Sequence, residues 1–502
     1  MSNFDLDTPL IDLVTSAGRD CITIRQACTG IQIFGSTGSG KTSGSGNLIA
    51  NKYLLNGFGG LILTVKPDEV DLWRSYCWQT NRSDDLIVIE PGGQHRFNFM
   101  DVESGYGQDE LAATDNIMDM LTTVIQAGSS QESGQSDDPF WRNSLELLIS
   151  NSIDLCKLAY GRVTIQNLYA IVNTIPKEGQ EAPSPDEPTK AFNLAFDAAR
   201  ANVMAQIDKW TATLDATSQE RFADDGVYEM ALLDALPDAR LLKFVDGFFV
   251  DTFIPLSQKT RSVIDASCVA FLYRLLREPF YSLFCRYAST VTPEDCFKGK
   301  VVLINLPILT YRKAGRDAQL MVKYCFQRAW QRRDVHKNPR PVFLWVDESQ
   351  HLLLDKDAEF LTTARSSRIA TVFLTQNLPN YLGMMSGDRA EHRVRSLLGN
   401  FGTKILHASS DSETNEWYSR LIGDAFFEDV SESTTVAQNF SQTRGRSLKL
   451  ERLVRPEEFS RLLTGGPKNG LRVEAYIHRQ GDVFPNGYNH MKLTFKQEDQ
   501  PT

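Results

Sequence analysis

Residues 35–42 read Gly-Ser-Thr-Gly-Ser-Gly-Lys-Thr and fill every fixed position of the G-x-x-x-x-G-K-[ST] phosphate loop. Before them, Ile31-Gln32-Ile33-Phe34 suits a buried strand, and after them Leu48-Ile49-Ala50 begins an apolar helical pattern. A flexible Gly/Ser-rich turn, continued by Ser43-Gly44-Ser45-Gly46, is the plain alternative, and the strand-then-helix context speaks against it. In such a loop Gly35, Gly38 and Gly40 leave backbone N–H groups free to curl round a β-phosphate, with Ser39 and Ser43 in the same cradle. Lys41 reaches the β- and γ-phosphates, and the Thr42 hydroxyl ligates Mg²⁺. The segment predicts a chain that binds ATP or GTP.

At 502 residues the chain exceeds one ordinary core, so two or three domains are expected. Its 42% hydrophobic and 23% charged residues are those of a soluble globular protein. No run of about 18 apolar residues offers a membrane span, and Met1-Ser2-Asn3-Phe4-Asp5 is not a basic signal-peptide start. The eight cysteines show no C-x-x-C pair and read as reduced core thiols, which fits a cytoplasmic location. A net charge of −10 excludes a surface coated for non-specific nucleic-acid binding, but not a pore lined by a few Lys and Arg per subunit.

Short apolar runs at 60–65, 86–89, 301–306, 342–346 and 370–375 alternate with helical segments, as in a parallel sheet covered on both faces. The run Val342-Phe343-Leu344-Trp345-Val346 ends in Asp347-Glu348. In a phosphate-loop enzyme such a strand presents its terminal Asp to Mg²⁺, which places Asp347 as second metal ligand and Glu348 beside the attacking water. From Thr42 to Asp347 is 305 residues, whereas a few βαβ units need only about 60–120. Something is inserted. The expected division is 1–107 and 294–502 as two parts of a nucleotide-binding domain, with 108–293 an all-α domain between the motifs. Within that insert, 115–125, 141–158 and 263–276 have helical periodicity, while 127–136 and 183–188 read as exposed loops.

After the second motif, Phe360 to Arg368 reads as a helix leading into the strand 370–375 and Gln376. Gln376, at a strand tip, is placed to sense a γ-phosphate or its water. Arg365 and Arg368 are either a solvated helix face or, in a ring, an arginine finger for a neighbour's nucleotide.

The order of these parts resembles the TraG/TraD-like coupling ATPases of type IV secretion and conjugation, within the FtsK/HerA superfamily. The resemblance covers most of the chain. It is carried by Gly35 to Thr42, Leu63 to Glu69 and Asp138-Pro139-Phe140-Trp141, then Ser257 to Ser262 and Ile304 to Pro307. Asp347-Glu348, Ala364 to Ile369 and Leu374 to Asn377 complete it. It implies a RecA-like, doubly wound, mostly parallel α/β core with a large helical insertion, assembled as a homo-hexamer around DNA. It also implies ATP and Mg²⁺ as cofactors and a relaxosome, secretion-channel or separate membrane partner. Lys41, Thr42, Asp347, Glu348 and Gln376 become nucleotide residues, and Arg365 or Arg368 the finger. Two features depart from the pattern. Typical members begin with transmembrane helices, and Thr64-Val65 stands where an acidic residue usually precedes the Lys.

Three basic clusters are candidates for a DNA surface: Arg328, Arg332, Arg333, Lys337 and Arg340; Arg389, Arg393 and Arg395; Arg444, Arg446, Lys449 and Arg452. The first is expected to be a solvated helix face. No base-reading motif is present, so any DNA contact is expected to track phosphates. The expected function is a ring-forming ATP-dependent DNA translocase, a conjugative or type IV secretion coupling protein that couples ATP hydrolysis to DNA or nucleoprotein transfer without a membrane span of its own. The alternatives are a nucleotide-dependent platform for protein substrates, or the motor of a soluble phage-defence or DNA-processing complex.

Overall fold

The computed structural model describes residues 4–15, 18–105, 110–132, 139–177, 189–215, 225–385, 389–436 and 440–497. They fall into two compact units. One comprises Met1–Ile87, Glu294–Leu303 and Ala329–Thr502, the other Val88–Pro293 and Ile304–Arg328.

The first unit is built on a large mixed sheet. Its strands are β3 (Ile31–Phe34), β4 (Gly59–Leu63), β5 (Leu86–Ile89), β6 (Val301–Ile304), β7 (Val342–Val346), β8 (Ile369–Thr375), β9 (Thr403–His407), β12 (Arg472–Arg479) and β13 (His490–Lys496). They lie in the order β13-β12-β9-β3-β8-β7-β4-β6-β5. Four registers define the parallel centre: Ile31 opposite Thr403, Ile31 opposite Val372, Val342 opposite Ile369, and Leu63 opposite Val346. Every residue of β3, β4, β7, β8 and β9 is buried, as expected where helices cover both faces. That is why β4 and β7 are apolar throughout rather than alternating, whereas β9 buries Thr403, Lys404 and His407 beside its apolar residues.

Two small antiparallel pairs complete the strands: β1 (Pro9–Thr15) with β2 (Gly18–Thr23), and β10 (Asp424–Val436) with β11 (Phe440–Arg452). The six anticipated strands, at 31–34 and at the five apolar runs, are present within one or two residues. β9, β12 and β13 were not foreseen. β12 runs antiparallel to β9, and β13 to β12, so the sheet is mixed at this edge. β12 and β13 each carry charged residues between their apolar ones, which hides them from a search for apolar runs.

The second unit is helical over nearly all of its described length, with long helices at Glu110–Glu132, Pro139–Tyr160, Ala191–Thr211 and Gln258–Leu275. The helix Glu110–Glu132 takes in the first half of the polar run at 127–136 that was expected to be a loop. Asp138, residues 133–136 and residues 183–188 lie outside the described residues. All eight cysteines are free thiols, seven buried and Cys21 partly so. Among the described residues no helix is long and apolar enough to cross a membrane.

Candidate nucleotide site

The C-terminal ends of β3, β7 and β8 lie side by side, and the loops leaving them bring the predicted residues together. This is where open parallel sheets bind ligands. Gly38 (φ 74°) and Gly40 (φ 83°) take the left-handed backbone that turns the loop. A Cβ on Gly35 would lie 2.8 Å from the Cβ of His407, and one on Gly40 would lie 2.6 Å from Val473. Bare backbone is therefore required at both positions. The loop passes into a wide helical turn, Thr42–Gly46, in which the Gly46 N–H reaches back to the Lys41 carbonyl at 2.8 Å. The helix Asn47–Leu55 follows.

Lys41, Asp347 and Glu348 are 7%, 5% and 5% exposed, so their charges interact with little screening by water. The Thr42 hydroxyl donates to Asp347 Oδ2 at 3.0 Å. Asp347 Oδ1 accepts the Glu348 N–H at 2.8 Å. That bond accompanies a left-handed backbone at Glu348 (φ 49°, ψ 48°), uncommon for a residue with a side chain and a mark of functional turns. Lys41 Nζ lies 3.6 Å from Glu348 Oε1, and Gln376 Nε2 donates to the same oxygen at 3.4 Å. Burial pushes the Glu348 carboxyl up, but Lys41, the Gln350 amide and Lys66 outweigh it and hold it at about 2.

The residues present fit a Mg²⁺-nucleotide. Ser39 Oγ is buried in the loop without a hydrogen-bond partner, the glycines leave a cradle that a Cβ would fill, and a hydroxyl and a carboxylate stand 3.0 Å apart.

Several residues here escaped the sequence reading as members of the site. Lys66 Nζ forms a 3.1 Å ion pair with Glu348 Oε1. Gln350 donates to Glu348 Oε2 at 3.0 Å and accepts from Thr375 at 2.8 Å. Ser45 shares a 2.7 Å hydrogen bond with His407 beneath the loop, and Gln497 donates to Ser43 at 2.6 Å. Gln350 is the exception that sequence had within reach, two residues beyond Glu348 in a motif already recognised. His407 and Gln497 carry no local signal and arrive through β9 and β13.

Arg365 and Arg368 are not brought to this site within the chain. The helix ends at Ala364, and both arginines precede β8, at the opposite end of the sheet from the phosphate loop. Arg365 is exposed, whereas Arg368, in left-handed backbone, donates to the carbonyls of Phe4 and Pro339 at 2.9 and 2.8 Å.

The basic clusters also sort by structure. The first is a solvated face only in part: Arg332 and Lys337 are exposed, but the other three are engaged within the fold. Arg333 donates to the carbonyls of Arg340, Ser367 and Arg368, and Arg340 to those of Phe297 and Gly57. Burial pushes Arg333 down to about 10. Arg328 donates to Asn116 Oδ1 at 3.0 Å. In the second cluster Arg393 pairs with Asp355 and Arg395 with Glu391. The third stretch forms part of the β10–β11 ribbon, on which Lys449 pairs with Asp429 and Arg452 with Asp424 and Glu416. Arg446 is exposed there, and the Arg444 side chain lies outside the described residues.

Burial pushes the His407 imidazole down to about 3, against a Glu474 backbone hydrogen bond that raises it. The unfolded chain protonates this group near pH 6.5 while the folded one does not. Stability is therefore expected to fall as pH drops from about 6.5 toward 3, by about 1.4 kcal/mol per unit from this residue. Urea midpoints at pH 7 and 5.5 check this: the drop should shrink in His407→Gln.

Comparison with known proteins places this geometry. Solved structures of the bacterial conjugative coupling protein TrwBdeltaN70 match 99% of the chain. The trigonal form with sulphate matches with 16% identity, 91% of its own chain and a TM-score of 0.59. The fold is that of a conjugative coupling protein. The TrwB complex with the non-hydrolysable ATP analogue ADPNP agrees at 17% identity, 92% of its chain and a TM-score of 0.57. Residues 341–463 match the family described as the TraM recognition site of TraD and TraG. No curated protein matches the chain. The coupling-protein fold, a P-loop RecA-like core with a helical domain, accounts for the mixed sheet and for the helical unit. The resemblance to TraG/TraD-like coupling proteins thus holds for the fold, and for the sequence over residues 341–463.

Proposed function

We propose that the chain is a Mg²⁺-dependent ATPase that assembles as a hexameric ring and moves DNA, or a nucleoprotein, for conjugative or type IV secretion transfer. The observation that carries this is the meeting of Lys41, Thr42, Asp347, Glu348 and Gln376 at adjoining strand ends of a coupling-protein fold. Lys41 and the loop N–H groups would hold the phosphates, while Thr42 and Asp347 would hold Mg²⁺. The metal, when bound, would offset phosphate charge as it develops. Glu348 would orient and polarise the attacking water, with Gln376 fixing the carboxylate. Arg365, whose guanidinium is exposed, suits the trans finger better than the carbonyl-bound Arg368.

DNA contact would rest on the phosphate backbone, because the sequence carries no base-reading motif. The match at 341–463 supports a relaxosome partner and cytoplasmic work alongside a membrane-bound channel. In this reading the helical unit, centred on 108–293, engages the cargo.

The test is steady-state ATP hydrolysis with and without single- and double-stranded DNA at two salt concentrations, together with molar mass. Stimulation by DNA that weakens with salt, in a hexamer, supports the motor. Turnover indifferent to DNA would leave a nucleotide-dependent recruitment platform instead.

A further inference from the structure

Glu348 is surrounded more tightly than a water-polarising carboxylate requires, and one of its partners has no place in the arrangement derived so far. Lys41, Lys66 and Gln376 all approach Oε1, while Gln350 holds Oε2. Lys41 belongs to the phosphate loop, and a nucleotide's β- and γ-phosphates would draw its ammonium away from the carboxylate. Lys66 comes from a different loop and is free of that demand.

Its position follows from the sheet. β4 and β7 are neighbours, with Leu63 opposite Val346 in register. Lys66, three residues beyond the one, and Glu348, two beyond the other, therefore emerge side by side. The loop that carries Lys66 is itself fixed. Glu69, 6% exposed, accepts the N–H groups of Val65 at 3.0 Å and Lys66 at 3.3 Å, and Pro67 restricts the backbone between them. Burial, followed by the charge of Asp347, pushes the Glu69 carboxyl well above its usual range. A carboxyl buried at that expense to hold two backbone amides marks a loop whose geometry matters.

We propose that Lys66 is a positioning residue for Glu348: its ammonium holds the carboxylate in its water-facing orientation once nucleotide has taken Lys41. Glu69 in turn holds Lys66. The inference rests on the ATPase reading above. Lys66 acts through Glu348 and not on the phosphates, so its loss should fall on kcat and spare nucleotide binding. The ammonium is 37% exposed at its side chain, which leaves room for a larger cation in the same place.

The experiment measures kcat, KM and the affinity for a fluorescent ATP analogue in the full chain, for wild type, Lys66→Ala, Lys66→Arg, Glu348→Gln and the Lys66→Ala/Glu348→Gln pair. Lys66→Ala should lower kcat about tenfold or more with KM and affinity within about twofold, and Lys66→Arg should recover most of the loss. In single-turnover assays of the Glu348→Gln background, removing Lys66 should cost nothing further, because both changes disable one unit. Losses that multiply, together with a raised KM, would place Lys66 on the phosphates and overturn the inference. So would Lys66→Ala turnover equal to wild type. A wild-type protein that binds nucleotide without hydrolysing it would overturn the ATPase reading itself, and this inference with it.

Discussion

Replacing Glu348 with Gln is expected to reduce ATP turnover by about 10²–10⁴ while leaving nucleotide binding nearly intact. The change removes a negative charge but keeps the side chain's length and one acceptor oxygen. In the folded chain that carboxylate is 5% exposed and gathers two ammonium groups and two amides, so it is held ionised and in one orientation. A Gln there still accepts from Lys66, but it presents no anion to a water. The measurement is kcat by phosphate release beside affinity by fluorescent nucleotide titration. Turnover within threefold of wild type would remove Glu348 from the chemistry.

The second large effect belongs to Lys41→Ala, which should weaken nucleotide binding and abolish turnover together. Each charge-assisted hydrogen bond lost from ammonium to phosphate is worth about 1.5–3 kcal/mol, or about 10- to 150-fold in affinity. Lys41 is 7% exposed, so water does not replace the lost contact. Loss of its 3.6 Å contact leaves Glu348 paired with Lys66, so the fold should survive. Equilibrium titration of the variant checks this, with circular dichroism confirming that the chain remains folded. The contrast between the two variants separates holding the phosphates from activating the water.

Much of the site was legible because its chemistry is local. A phosphate loop needs Gly, Lys and Thr at fixed spacing, since one turn of backbone must face one phosphate group, and Gly35 to Thr42 declare this. Asp347 and Glu348 were legible for a related reason: an apolar strand must end where its polar tip meets the ligand. Gln376 followed from the same rule at β8. Of the apolar runs found in advance, β4, β6, β7 and β8 are buried throughout, which leaves few polar residues to break the run, while β5 is apolar although mostly half-buried. β12 and β13 sit toward the edge of the sheet, where charged residues between apolar ones are tolerated, and their apolar pattern is correspondingly interrupted.

The rest depends on which distant segments the sheet brings together. Arg328, Arg332, Arg333, Lys337 and Arg340 read as a solvated charge stripe, and Arg332 and Lys337 are exposed, yet Arg333 and Arg340 are spent on backbone carbonyls and Arg328 on Asn116. Helical spacing reports the face of a helix but not what covers it. Lys66 reaches Glu348 only because β4 lies beside β7, an adjacency 282 residues apart in sequence. His407 and Gln497 reach the loop because β9 borders β3 and because β13 ends beside Ser43. The sequence by itself determined the phosphate-loop motif, the strand tips that meet it and the presence of a long helical insertion, since each is written in adjacent residues. The tertiary structure alone decided which cations and amides surround Glu348, because strand order is set by the packing of the whole sheet and by no segment within it.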